Sequence, residues 1–249
     1  MVNALVLRTA GTNCDGETAH ALKECGANPE LLHLNDILKN SQSIFRYSIL
    51  VIPGGFSYGD DIAAGKILAN ELKFKLSREL KQFVRQGKLI IGICNGFQVL
   101  TKTGLLPGQD ECFMQTTTLT QNDSGRFQCE WVSLKKESSR AKWLKELPSL
   151  FELPIAHGEG RFVVKEKKNL NQIEKNKQVV FRYSPENPNG STHSIAGICN
   201  AEGNVIGLMP HPERFLIPFQ HPAWTRKKMK EETPGAIFWK CAVEYAKTL

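Results

Sequence analysis

One stretch of this chain restricts its fold more than any other: Lys88-Leu89-Ile90-Ile91-Gly92-Ile93-Cys94-Asn95-Gly96-Phe97-Gln98. Its apolar first half has no polar face, so as a strand it must be covered on both sides, the condition of a central strand in a parallel sheet. Glycines two residues before and two residues after Cys94 allow strand and following helix to approach across a sharp turn that pushes the cysteine outward. This is the form of a nucleophile elbow. Unpaired N–H groups and the dipole at the start of that helix favour the thiolate over a thiol whose ordinary pKa is about 8.5. A small buried core cysteine is the plainer reading of the same residue.

Strand-like runs at Asn3 to Leu7 and Ser48 to Ile52 join Lys88 to Ile93, with helical patterns between them. A helix beginning near Asn13 takes that residue as its N-cap and Gly26 as its stop, and a second helix fills much of Ile67 to Arg85. Right-handed crossovers between apolar strands give a doubly wound α/β sheet with helices on both faces. From Gln115 onward the strands crowd together, at Gln128 to Leu134, Arg161 to Val164, Gln178 to Tyr183 and Gly203 to Met209, and hairpins are expected there. With no internal repeat and no Gly/Ser linker, residues 1–249 read as a single domain.

A hydrophobic content of 41% with 23% charged residues excludes a disordered chain and suits a folded one. No apolar run approaches the ~20 residues of a membrane span. The first residues carry neither a basic n-region nor a small-residue cleavage site, so a cytoplasmic location and no membrane partner are expected. Seven cysteines without a C-x-x-C pair suit reduced thiols and argue against a metal site. The net charge of +7 raises nucleic-acid binding. However, the basic stretches Lys135 to Lys145, Lys165 to Lys177 and Arg226 to Lys230 are diluted by Glu or poor in the rings that bases stack on. They read as solvated surface excursions, with no nucleic-acid partner.

A cysteine nucleophile needs a base held by a third group, and two pairs compete: His157-Gly158-Glu159 and His211-Pro212-Glu213. In extended chain residues i and i+2 point the same way, so spacing alone does not decide. Pro210 and Pro212 restrict the backbone around His211, which favours the second pair. Strand Ile49 to Ile52 runs into Pro53-Gly54-Gly55-Phe56-Ser57-Tyr58-Gly59-Asp60, a glycine-rich loop at the end of a strand where open α/β sheets bind ligands. It has neither of the common phosphate-loop orders. An N–H of Gly54 or Gly55, with that of Asn95, could instead receive the charge of a tetrahedral intermediate, although a plain turn is the simpler alternative. Gln98 falls one helical turn beyond Cys94 on the same face and could hold a polar ligand. A cysteine hydrolase of another kind or a redox sensor would also carry such an elbow.

The elbow, the Pro53–Asp60 loop and Pro210-His211-Pro212-Glu213-Arg214, in this order, resemble the class I glutamine amidotransferases. Asn13-Cys14-Asp15, Ala156-His157-Gly158-Glu159-Gly160-Arg161-Phe162 and Asn187-Pro188-Asn189-Gly190-Ser191 narrow the likeness to the glutaminase subunits of phosphoribosylformylglycinamidine synthases in purine biosynthesis. The resemblance implies a flavodoxin-like doubly wound sheet. It implies Cys94 as nucleophile, His211 as acid and base, and Glu213 as its orienting partner, which breaks the histidine tie. It further implies that Gly54 or Gly55 with Asn95 supplies oxyanion N–H groups, that Gln98 contacts glutamine, and that His157 is a pocket wall. Glutamine would be hydrolysed to glutamate and ammonia without a cofactor in this chain. The partners implied are a separate synthetase subunit, which uses ATP and Mg, and a small third subunit. The tail from Trp224 departs from the family pattern and reads as basic surface.

Overall fold

The computed structural model describes residues 1–108, 114–228 and 230–249. Cys112 and residue 229 of the Arg226 to Lys230 run lie outside the described residues. The first half contains β1 (Val2–Arg8), α1 (Asp15–Glu24), β2 (Ala27–His33), α2 (Leu34–Lys39), β3 (Ile49–Ile52), α3 (Lys66–Lys75), α4 (Ser77–Arg85), β4 (Leu89–Ile93) and α5 (Asn95–Thr103). The second contains β5 (Thr117–Thr120), β6 (Gln128–Lys136), β7 (Leu150–His157), β8 (Arg161–Val164), α6 (Lys167–Lys175), β9 (Val179–Tyr183), β10 (Ile195–Cys199), β11 (Val205–Leu208) and α7 (Pro234–Ala246).

Among the described residues the main sheet has 9 strands in the order β2-β1-β3-β4-β11-β10-β9-β6-β7, and β5 pairs with β8 in a separate ribbon. From β2 to β11 every pairing is parallel; from β11 to β7 every pairing is antiparallel. The expected division between a doubly wound half and a hairpin half is therefore present. β11 belongs to both, pairing in parallel with β4 and antiparallel with β10. Every residue of β3, β4, β10 and β11 is buried, so both faces of the sheet's centre are covered. α1 packs with α7, and α3 packs with α5.

Several boundaries differ from the expectations. α1 starts at Asp15, with Cys14 rather than Asn13 at the N-cap position and no side-chain cap. The helix expected across Ile67 to Arg85 is two helices, broken at Leu76, whose φ of −127° and ψ of 13° leave the helical region. The Lys165–Lys177 stretch is not a mere surface excursion: it holds α6, which buries Leu170 and Ile173. The tail is likewise more than basic surface. Thr233 caps α7 by accepting from the Ala236 N–H, Pro234 opens it, and Phe238, Trp239, Ala242 and Val243 are buried along it.

The parallel order β2-β1-β3-β4-β11 fixes where chemistry can happen. In such sheets ligands bind beyond the carboxyl ends of the strands. The chain leaving β1 carries Asn13 and Cys14, that leaving β3 carries Gly54 and Gly55, that leaving β4 carries Cys94, and that leaving β11 carries His211. These four exits are neighbours in the sheet.

Candidate active site

Cys94 joins β4 to α5 with φ +50° and ψ −105°, a conformation that costs a non-glycine residue energy and persists because its surroundings enforce it. The enforcement is visible two residues on. A Cβ at Gly96 would lie 1.8 Å from the carbonyl oxygen of Ile52, so only glycine lets α5 start this close to β3. The Cys94 Sγ lies 3.6 Å from the Ala156 carbonyl oxygen, and the residue is 7% exposed. The Phe97 N–H donates back to the Cys94 carbonyl at 3.0 Å, so of the opening amides of α5 those of Asn95 and Gly96 are left for a ligand.

His211 is buried with its Nδ1 2.6 Å from Glu213 Oε1, and its Nε2 has no partner among the described residues. Nδ1 carries the proton shared with the carboxylate, which turns Nε2 toward the reactive side. Burial opposes protonation of the ring. The charge of the Glu213 carboxylate, with the nearby Cys14 and Cys94 sulfurs, outweighs it and holds the imidazole pKa well above its ordinary value. Gly54 lies between these groups: a Cβ there would be 2.9 Å from His211 Cε1, 3.1 Å from Cys14 Sγ and 3.5 Å from Cys94 Cβ. Cys94 and the His211 imidazole therefore flank a residue that has no room for a side chain.

The other histidine is arranged differently. His157 is buried, its Nδ1 lies 3.1 Å from Asn122 Oδ1, and burial first, then the charge of His211, push its pKa down to about 4. Among the described residues its imidazole is bonded to Asn122 and not to Glu159. It lines a cavity of about 490 Å³ together with Gly55, Cys94, Gln98 and His211. Gln98 is fixed at both ends, its Nε2 donating to the Glu159 carbonyl at 2.7 Å and its Oε1 accepting from Asn95 Nδ2 at 3.0 Å. The Asn95 Oδ1 in turn accepts from the Ser57 hydroxyl at 2.6 Å.

Cys14 and Asp60 are among the cavity residues not singled out from the sequence. Cys14 sits beside His211, with Arg214 Nη2 3.2 Å from its sulfur and burial pushing its pKa up. Its place after the first strand of a doubly wound sheet was the available signal. Asp60 ends the glycine loop and accepts from Asn95 Nδ2 at 3.0 Å. Donor atoms of Cys14, Glu17, His211 and Glu213 come within 4.8 Å of one another, a spacing a metal ion could use. Arg214, 2.9 Å from Glu17 and 3.2 Å from Cys14, already supplies positive charge to that set. No described helix is long and apolar enough to cross a membrane.

Residues 1–246 match the model of the CobB/CobQ-like glutamine amidotransferase domain. The phosphoribosylformylglycinamidine synthase subunit PurQ of Dehalococcoides mccartyi is 43% identical, over 99% of this chain and 98% of its own length. The subunit of the same name from Methanococcus maripaludis strain C7 is 41% identical, over 97% and 96%. Among solved structures, a chain of the PurLQS structure from Thermotoga maritima superposes with a TM-score of 0.75 at 33% identity, covering 98% of each chain.

Proposed function

We propose, from the premise that this chain belongs to the family of CobB/CobQ-like glutamine amidotransferase domains, that it is the glutaminase subunit of a phosphoribosylformylglycinamidine synthase. It releases ammonia from glutamine for a separate synthetase subunit, as the relatives' names and the PurLQS neighbour support. The finer parts of this reading are a small third subunit and a requirement for ATP and Mg in the synthetase, none of them held by this chain.

The observation that carries the chemistry is the Cys94–His211–Glu213 arrangement. The Cys94 sulfur attacks the glutamine carboxamide carbon while the N–H groups of Gly55 and Asn95 receive the developing oxyanion. Protonated His211, held by Glu213 at 2.6 Å, gives its proton to the departing nitrogen. Ammonia leaves and a glutamyl thioester remains on Cys94. The now neutral imidazole removes a proton from water, the hydroxyl adds to the thioester, and glutamate departs with the thiol restored. Passing the ammonia directly to the synthetase keeps it from being protonated in bulk water.

The test is glutamine-dependent and ammonia-dependent synthesis in the complex of this chain with its synthetase. Cys94→Ala should abolish the first and leave the second. Loss of both would overturn the division of labour, and undiminished glutamine use would overturn the choice of nucleophile.

A further inference from the structure

The carboxylate of Asp60 uses one oxygen to hold Gly65 and Asn95 and leaves the other without a partner among the described residues. It is half-buried in the wall of the cavity that holds Cys94, and burial pushes its pKa up. Its Oδ1 accepts from the Gly65 N–H at 2.9 Å and from Asn95 Nδ2 at 3.0 Å. Among the described residues no cationic side chain forms an ion pair with it, and Lys102 is felt only as a longer-range charge. Arg214, the cation in the cavity wall, is committed to Glu17 and to the Cys14 sulfur. A carboxylate removed from water without an opposite charge is costly, unless the opposite charge arrives with the ligand.

The distances suit glutamine. Asn95 Nδ2 lies 3.0 Å from both Asp60 Oδ1 and Gln98 Oε1, so two acceptors flank one amide nitrogen. Gln98 stands one turn along α5 from Cys94, about 5.4 Å of helix. Four bonds of about 1.5 Å separate the carboxamide carbon of glutamine from its α-nitrogen, a span of about 5 Å when extended. With the carboxamide on the Cys94 sulfur, an extended glutamine is long enough to carry its α-ammonium group one helical turn along α5, to Gln98, which Asn95 Nδ2 links to Asp60. Both acceptors keep a free lone pair: Gln98 Oε1 has a second one, and Asp60 Oδ2 has no partner among the described residues.

We infer that Asp60, presented beside Gln98 by the Asn95 amide, is the receptor for the α-ammonium group of glutamine and is what selects an amino acid over a simple amide. This assignment rests on the glutaminase reading above and deepens it. Asp60 touches substrate but not the reacting atoms, so its loss should act mainly on KM.

The experiment compares glutamine with glutaramate, the same molecule without the α-amino group, as substrates of the complex with its synthetase. Asp60→Asn keeps the Oδ1 acceptor and suits the left-handed backbone at this position, φ +54°. Kcat/KM for glutamine should fall about 10- to 100-fold, the value of a hydrogen bond to a charged group, while that for glutaramate stays the same. An equal loss on both substrates, or an unchanged preference, overturns the assignment. So does the same loss of preference in Glu159→Gln but not in Asp60→Asn, because Glu159 also lines the cavity. A second measurement needs no variant: the unaltered complex must prefer glutamine to glutaramate, and equal use of the two overturns the inference even if Asp60→Asn does not fold. Unaltered complex that uses ammonia but neither amide overturns the glutaminase reading itself, and this inference with it.

Discussion

Gly96 stands so close to Ile52 that a Cβ on the first would lie 1.8 Å from the carbonyl oxygen of the second. The contact holds the first turn of α5 against β3 and sets the +50° φ of Cys94. Because the obstacle is backbone, it cannot be relieved by a rotamer change. Gly96→Ala should cost about 3 kcal/mol, the upper part of the usual range for overpacking, and should lower Tm accordingly. Thermal unfolding of the variant with an unchanged midpoint would contradict the role assigned to this contact.

Gly54→Ala should behave differently. Its Cβ would press on His211 Cε1 at 2.9 Å and on Cys14 Sγ at 3.1 Å, side-chain atoms that can shift. The shift falls on the imidazole that faces Cys94, and a displacement of about 1 Å at reacting groups costs on the order of 100-fold in rate. Glutaminase kcat should therefore collapse while Tm stays near that of the parent. A parallel loss of both would place the effect in folding instead.

His211 makes a testable contribution to stability. Its folded pKa lies well above the ordinary 6.5, so the folded state holds the proton more tightly than the unfolded chain. The stabilisation is fully present below about pH 6.5 and is lost as pH rises through the raised value. His211→Asn should accordingly cost most at acidic pH and progressively less in alkali. Melting curves that differ by a constant amount across this range would refute the linkage.

His157 should show the opposite sign. Its folded pKa of about 4 lies below 6.5, so the unfolded chain takes up a proton that the folded state refuses. Stability then declines as pH falls from about 6.5 to 4, by up to ~3 kcal/mol from this group. His157→Gln should flatten that decline. Stability that falls just as steeply in the variant is the contrary outcome.

Much of this was legible in the residues, and the rest was hidden for identifiable reasons. The continuous apolar runs of β3 and β4 announce buried parallel strands, and the Gly-x-Cys-x-Gly turn announces the elbow. β2 escaped because it is an edge strand with Pro29 inside it and mixed burial, which weakens every strand signal. α7 escaped because the charged Arg226–Lys230 run and Glu231-Glu232 lie directly before its Thr233-Pro234 start signal and give that region the composition of exposed surface. At the site, spacing left His157 and His211 equivalent, because i and i+2 can pair in either. What separates them is Asn122, from a distant loop, which takes the place of Glu159 on His157, whereas His211 does bond its own Glu213. No local pattern records such a partner. Asp60 was visible as the last residue of its loop, but the glycines gave a sufficient account of that loop without it.

The position of β11 between β4 and β10 has a consequence for how the chain becomes competent. A ribosome delivers the sulfur with the early parallel strands, yet the imidazole emerges only after the hairpin half has been made. Until β11 slots in beside β4, Cys94 and His211 are not brought together, and on the proposed chemistry the nascent polypeptide releases no ammonia. On that chemistry, onset of turnover reports the pairing of β11 with β4.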